Sequence, residues 1–322
     1  MKKPLFEVPE IKKVRVIIDT DCNCECDDQY AVIHALMTPK FNIKAVIAEQ
    51  YGTMFDSQNS MEESYKEIQN IVGLAGLTGQ VNILRGGEGC LPDEKTPLES
   101  EGARFIVDEA MKEDSQPLFV VNQGALTNMA SACLMEPEIA KKITCIWIGG
   151  GPYPTGGWEF NLQNDIHAAN VVMNSGMEIW QVPMNVYSMM KVSFSELFDK
   201  VYPYGEIGKY LVENTLRVNQ SLTEILVNLK DVPNSPYSAL SKGAQAAAYP
   251  GGESWQLGDS PVVGLMLTDH AGHYTVEGAP YFNQDCTYTL RPDNPNKIRV
   301  YNYVDSHFIL EDFFAKLKYH FG

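Results

Sequence analysis

Basic charge is scarce in this 322-residue chain: 25 lysines and arginines stand against 41 aspartates and glutamates, for a formal net charge of -16. Holding a nucleic-acid polymer takes a basic surface that neutralises phosphates. The balance therefore argues against such a partner, and it disfavours highly phosphorylated substrates. Long apolar runs are also missing. No stretch approaches the roughly 18 apolar residues of a membrane-spanning helix. The opening MKKPLFEVPEIKKVRV has no apolar segment of signal-peptide length, because Pro4, Glu7, Pro9 and Glu10 interrupt it. A cytoplasmic location and no membrane partner are the expectations. Paired cysteines at zinc-type spacing are absent too. Cys22, Cys24 and Cys26 are separated by single residues, Cys90, Cys133, Cys145 and Cys286 are scattered, and no Cys-rich or His-rich segment could partner them. Seven cysteines without a secretion signal read as reduced thiols, not a disulfide framework.

What is present reads as one α/β domain spanning the whole chain. Short apolar strands are predicted at Val14–Asp19, Asn42–Ala48, Leu118–Asn122, Thr144–Ile148 and Met177–Val182. Helical patterns lie between them: from Asp27 through Leu36, at Ser60–Leu74, and at about Ala103–Met111, Asn128–Leu134 and Asp165–Met173. Ile207–Lys230 is predicted mostly helical, Asp231–Tyr237 is a predicted loop, and His307–His320 closes the chain as an amphipathic helix. Strands alternating with helices predict an open, mostly parallel sheet covered on both faces. Ligands of such sheets sit outside the carboxyl ends of the strands. The unusual polar clusters fall at such ends: Asp19–Asp28, Glu49–Thr53, Asn122–Asn128 and Gly149–Asn161.

The densest cluster is DTDCNCECDD, Asp19–Asp28, with four aspartates, one glutamate and three cysteines. Carboxylates this close repel in a poorly solvated site unless something positive offsets them. A helix N-terminus contributes about half a charge, and capping accounts for one aspartate, not four. A bound Ca²⁺ or Mg²⁺ accounts for the set, since hard ions take carboxylate and carbonyl oxygens. The competing reading is a solvated acidic loop with one cap. The three cysteines read as small side chains lining a tight loop.

These residues carry a resemblance. IIDTDCNCECDDQYAVIHAL resembles the N-terminal metal motif of the inosine-uridine preferring nucleoside hydrolase family, with five residues, Cys22 to Cys26, between Asp-Thr-Asp and Asp-Asp where three are usual. QGALTNMA is similar to that family's Gly-Pro-Leu-Thr-Asn turn, GGGPYPTGGWEFNLQNDIHAA to its Gly-Gly turn followed by Glu-Phe-Asn, and SWQLGDSPVV to the segment bearing its His-Asp pair. The likeness runs from about Val14 to Val263. It implies a Rossmann-like fold and hydrolysis of the N-glycosidic bond of a ribonucleoside or related riboside. It also implies Ca²⁺ held by Asp21, Asp28, Asp259 and the Thr127 carbonyl, and Asp27 as general base. Glu159 and Asn161 would bind ribose hydroxyls, Asp165 would cap a helix, and a homodimer or homotetramer would be the assembly. Three positions depart from the pattern: Gly258 replaces a histidine near the leaving base, while Tyr153 and Thr53 replace asparagines that contact the sugar.

Such a site orients a sugar through its hydroxyls and draws a proton from the attacking water at Asp27. Trp158, Tyr187 and Trp255 are candidates for a base-stacking wall. His34 and His167 read as structural, while His270 and His273 could reach the site from a loop. Three other functions are weighed: hydrolysis of another glycoside or sugar derivative, a metal-stabilised nucleoside or sugar binder without catalysis, and a phosphohydrolase. An intact Asp27 disfavours the binder. The near absence of Lys and Arg at the strand ends disfavours the phosphohydrolase.

Overall fold

A computed structural model of the chain describes residues 1–52, 57–229 and 251–322. The predicted loop at Asp231–Tyr237 and the candidate Thr53 lie outside the described residues.

Twelve strands are described: β1 Val14–Thr20, β2 Phe41–Ala48, β3 Ile83–Arg85, β4 Leu118–Asn122, β5 Ile143–Ile148, β6 Glu178–Val182, β7 Lys191–Ser193, β8 Ser254–Gln256, β9 Gly272–Gly278, β10 Tyr281–Phe282, β11 Tyr288–Thr289 and β12 Lys297–Val304. Eight of them form one sheet in the order β3-β2-β1-β4-β5-β6-β12-β9. All neighbours in it pair parallel except β12 with β9, which closes one edge antiparallel. The expected sheet is therefore present, and it extends past the predicted strands by β3, β12 and β9.

All seven residues of β1 are buried, as a central parallel strand covered on both faces requires. Successive side chains of a strand point to opposite faces, and β1 obeys this: Val14, Val16 and Ile18 enter one core, Ile17 the other. The first core is completed by the helices Asp28–Leu36, Gly205–Leu229, Pro261–Leu267 and Ser306–Phe321, through Ile33, Val212, Val263 and Phe313. The second takes Ile106, Met129 and Val172 from the helices Glu101–Ala110, Thr127–Met135 and Ile166–Asn174. No helix among the described residues is long and apolar enough to cross a membrane.

The strand order places the site. From β1 the chain moves outward to β2 and β3, then returns to add β4, β5 and β6 on the other side. The crevice at such a reversal, outside the carboxyl ends of the strands, is where open α/β sheets bind ligands. Asp19 of β1 pairs with Asn122 of β4, and Asn122 with Trp147 of β5. The turns that follow these residues face that crevice.

Candidate active site

The DTDCNCECDD turn leaves the end of β1 and enters the helix Asp28–Leu36. Asp27 occupies the N-cap position with helical backbone angles, yet its side chain makes no capping bond. The carboxylate is thus not spent on the helix, and it lines a cleft. One oxygen each from Asp27, Asp28 and Asp259 lie within 4.8 Å of one another. Asp259 reaches them from the loop between β8 and the helix Pro261–Leu267, and Asp21 lines the same cleft. Gly124, in the turn after β4, backs against Asp21: a Cβ there would stand 2.8 Å from its Cγ.

Burial is the largest cause that raises the pKa of Asp21, Asp27, Asp28 and Asp259. For Asp21, Asp27 and Asp259 the neighbouring carboxylates come next, with Glu25 among them for Asp27 and Asp259. For Asp28, pushed up to about 6, hydrogen bonds oppose the rise, the first of them from the Thr20 hydroxyl. One buried oxygen of Asp21 has no hydrogen-bond partner. No Lys, Arg or His is among the described residues lining the cleft. Oxygen donors crowded around a buried point, with no basic side chain facing them, fit a hard divalent ion. The thiols do not compete for it. Burial, followed by the nearby carboxylates, pushes Cys22, Cys24 and Cys26 well above the ordinary thiol range, and a protonated thiol is a poor metal ligand. Replacing all three by alanine is expected to leave metal content unchanged while lowering thermal stability. Metal loss in that variant, with retention in Asp28→Ala, would assign the ion to sulfur.

The cluster rests on a buried polar layer. Asn128 Nδ2 donates to Asp19 Oδ1 and to Glu49 Oε2, each at 3.0 Å, and its backbone N–H donates to the same Glu49 oxygen. Burial pushes Asp19 up to about 7. Asp165 caps the helix Ile166–Asn174 by accepting from Ala168 N, a contact worth about 1 kcal/mol. It also accepts from the Thr127 hydroxyl at 2.9 Å. Glu159, which lines the same cleft, caps the short helix Phe160–Asn164. Asn161 donates both amide hydrogens, to the carbonyls of Gln123 at 2.8 Å and Ile148 at 2.9 Å, and so ties the ends of β4 and β5 together.

Asp21, Asp27, Asp28, Asp259, Glu159 and Asn161 therefore meet in one cleft. Thr127 does not. It is the first residue of its helix, where carbonyls point along the axis away from the N-terminus. Gln123, four residues earlier, lines the cleft in its place, and neither side-chain amide atom has a partner. Trp158 is 37% exposed and outside the lining residues. Tyr153 turns its hydroxyl to Glu277 at 3.4 Å. Trp255 is not a stacking wall, being fully buried in the first core. His270 and His273 do not line the cleft. His34 is structural as expected: buried, it holds Asp312 at 2.7 Å and so joins the helices Asp28–Leu36 and Ser306–Phe321. Gln123, Glu25, Ile148 and Phe160 line the cleft without having been singled out as site residues by the sequence reading. The position of Gln123 just beyond an apolar strand was the available signal.

The model of the inosine-uridine preferring nucleoside hydrolases matches residues 16–305. The chain belongs to this family. Among curated proteins it is 26% identical over 204 residues to the pyrimidine-specific ribonucleoside hydrolase RihA of Salmonella paratyphi A, covering 55% of this chain and 63% of that protein. The match thus spans less than two thirds of that relative's length. Its fold is that of a purine-preferring ribonucleoside hydrolase from Gardnerella vaginalis, with TM-score 0.73 and 16% identity over 95% of this chain and 98% of that one. A plant nucleoside hydrolase superposes with TM-score 0.71 at 16% identity, covering 94% of this chain and 98% of that one. Nucleoside hydrolases of this family use a metal ion, and the acidic cluster is where this member would hold it.

The raised carboxylates give this member of the family a predicted pH signature. A carboxylate whose folded pKa stands above its unfolded value binds its proton more tightly when folded. Its stability contribution is full below the unfolded pKa and is lost as pH rises through the folded one. With Asp28 at about 6 and Asp19 at about 7, the window runs from about pH 4, the unfolded value, to about pH 7. In metal-free protein these groups are expected to withdraw stability between about pH 4 and about pH 7. Added Ca²⁺ should therefore raise the melting temperature more at pH 8 than at pH 5. Equal increments at the two pH values would detach the ion from these carboxylates.

Proposed function

We propose that the chain hydrolyses the N-glycosidic bond of a ribonucleoside, releasing base and ribose, with Ca²⁺ as its resident ion. The observation that carries this reading is Asp27: a carboxylate at a helix N-cap that does not cap, beside Asp28 and Asp259 and in one cleft with Glu159 and Asn161. Asp21, Asp28 and Asp259 would hold the ion, with Gln123, which lines the cleft where Thr127 does not, offering a fourth oxygen. When bound, the ion would supply positive charge that orients the sugar diol and acidifies water.

The chain's own residues do the rest. Asp27 takes the proton of a water attacking C1 of the sugar. The surrounding carboxylates favour positive charge as it develops on the ribosyl ring. Asn161 is locked by its two carbonyl bonds and offers its oxygen to a sugar hydroxyl. A panel of ribosides assayed by release of free ribose, with and without Ca²⁺, tests the reading. No release from any riboside in the presence of Ca²⁺ would reject it.

A related reading, hydrolysis of a riboside other than the common nucleosides, is favoured by Gly258. A Cβ on Gly258 would stand 3.0 Å from Tyr187 Cδ2 and 3.2 Å from Asp27 Oδ2. The residue before Asp259 therefore offers no group to a leaving base, and there is little space for one.

A further inference from the structure

We propose that Tyr187 determines substrate selection at this site: its hydroxyl oxygen accepts the sugar hydroxyl that the acidic cluster does not take, the 5′-hydroxyl of a riboside. The proposal rests on the ribonucleoside reading and deepens it.

Glu159 stands where a sugar hydroxyl would be expected to bind, but its acceptor sites are taken. Oε2 accepts from Gly150 N at 2.7 Å and Leu162 N at 2.9 Å, and Oε1 accepts from Asn161 N at 3.2 Å and the Tyr187 hydroxyl at 3.0 Å. A carboxylate offers about four lone-pair sites, so all of them serve the protein. Tyr187 is bonded to this carboxylate, and both residues line the cleft. A phenol has one proton and further acceptor capacity. With the proton given to Glu159, the oxygen of Tyr187 can only accept.

Two further features fix this arrangement. The Tyr187 ring fills the space beside Gly258 that a side chain there would take, and its backbone N–H is bonded to the Pro183 carbonyl at 3.0 Å. Asn161, on the same wall, has donated both amide hydrogens to carbonyls, so it too presents only an oxygen. Beside the acidic cluster the cleft thus offers acceptors, and they complement a substrate that brings an O–H donor. With the 2′- and 3′-hydroxyls directed at the cluster, the hydroxyl left for these acceptors is the one on C5.

The test is a cycle of enzyme and substrate variants. Specificity constants of Ca²⁺-loaded wild type and Tyr187→Phe are compared on uridine against 5′-deoxyuridine, and on 4-nitrophenyl β-ribofuranoside against its 5-deoxy form. Wild type should prefer the hydroxylated member of each pair. In Tyr187→Phe that preference should shrink by about three- to tenfold, the worth of one neutral hydrogen bond, through loss on the hydroxylated substrate alone. A preference equal in the two enzymes overturns the proposal, because a purely structural role slows both substrates alike. Improved activity of Tyr187→Phe on the hydroxylated substrate also overturns it, since Glu159 would then be taking the hydroxyl directly. Absence of both turnover and calorimetric binding of ribosides by wild type would remove the ribonucleoside reading and this inference together, which separates that failure from the other two.

Discussion

Asp27→Asn is expected to lower turnover on the best riboside by about 10²–10⁴-fold, the usual contribution of a positioned general base, while the bound ion stays in place. Asparagine keeps the shape and an oxygen donor but cannot take a proton at neutral pH. The structure makes the experiment sharp, because Asp27 sits in the same oxygen cluster as Asp28 and Asp259. It could serve as ligand, as base or as both. Metal content by elemental analysis separates these. Asp28→Asn and Asp259→Asn should lose the ion and activity together. Asp27→Asn should lose activity alone, and loss of the ion from it would convert Asp27 from base to ligand.

Cleavage of 4-nitrophenyl β-ribofuranoside should exceed that of inosine or uridine by about 10²–10⁴-fold in kcat/KM, the range a general acid supplies. A purine or pyrimidine leaves poorly as an anion, so its departure is helped by protonation, whereas nitrophenolate needs none. Among the described lining residues the remaining hydroxyl proton, that of Tyr187, is held by Glu159. Burial and the adjoining Glu159 carboxylate push that phenol well above its ordinary pKa. Gly258→His should not rescue natural nucleosides by itself, because the new side chain meets Tyr187 and Asp27. Similar efficiencies on inosine and the nitrophenyl riboside would reveal a proton donor that these residues do not include.

The sheet and the carboxylate cluster were legible because strong local signals wrote them. Apolar runs such as VRVIID and LFVVN have few alternatives to buried strands, and acidic residues gathered past a strand end resist any explanation by capping. The aim of individual side chains was not legible. QGALTN contains both Gln123 and Thr127, and only the turn geometry decides which faces the cleft. Trp255, a plausible stacking wall from composition, is core because β8 pairs with β7 and places it inward. β3 and β9 were missed for physical reasons. β3 is three half-buried residues at one edge. Most of β9 is exposed at the other edge, where no apolar pattern is required.

The residues of the cleft come from Asp21 to Asp259, through turns after β1, β4 and β5 and a loop close to the last quarter of the chain. This spread governs when activity can first exist. Domains are made N-terminal end first, so a ribosome-bound chain ending before Asp259 has its acidic turn and central strands but lacks one carboxylate of the acidic cluster. Competence should arrive in one step, once the loop after β8 closes over the crevice, and recovery of activity on refolding should report completion of the fold, not its beginning.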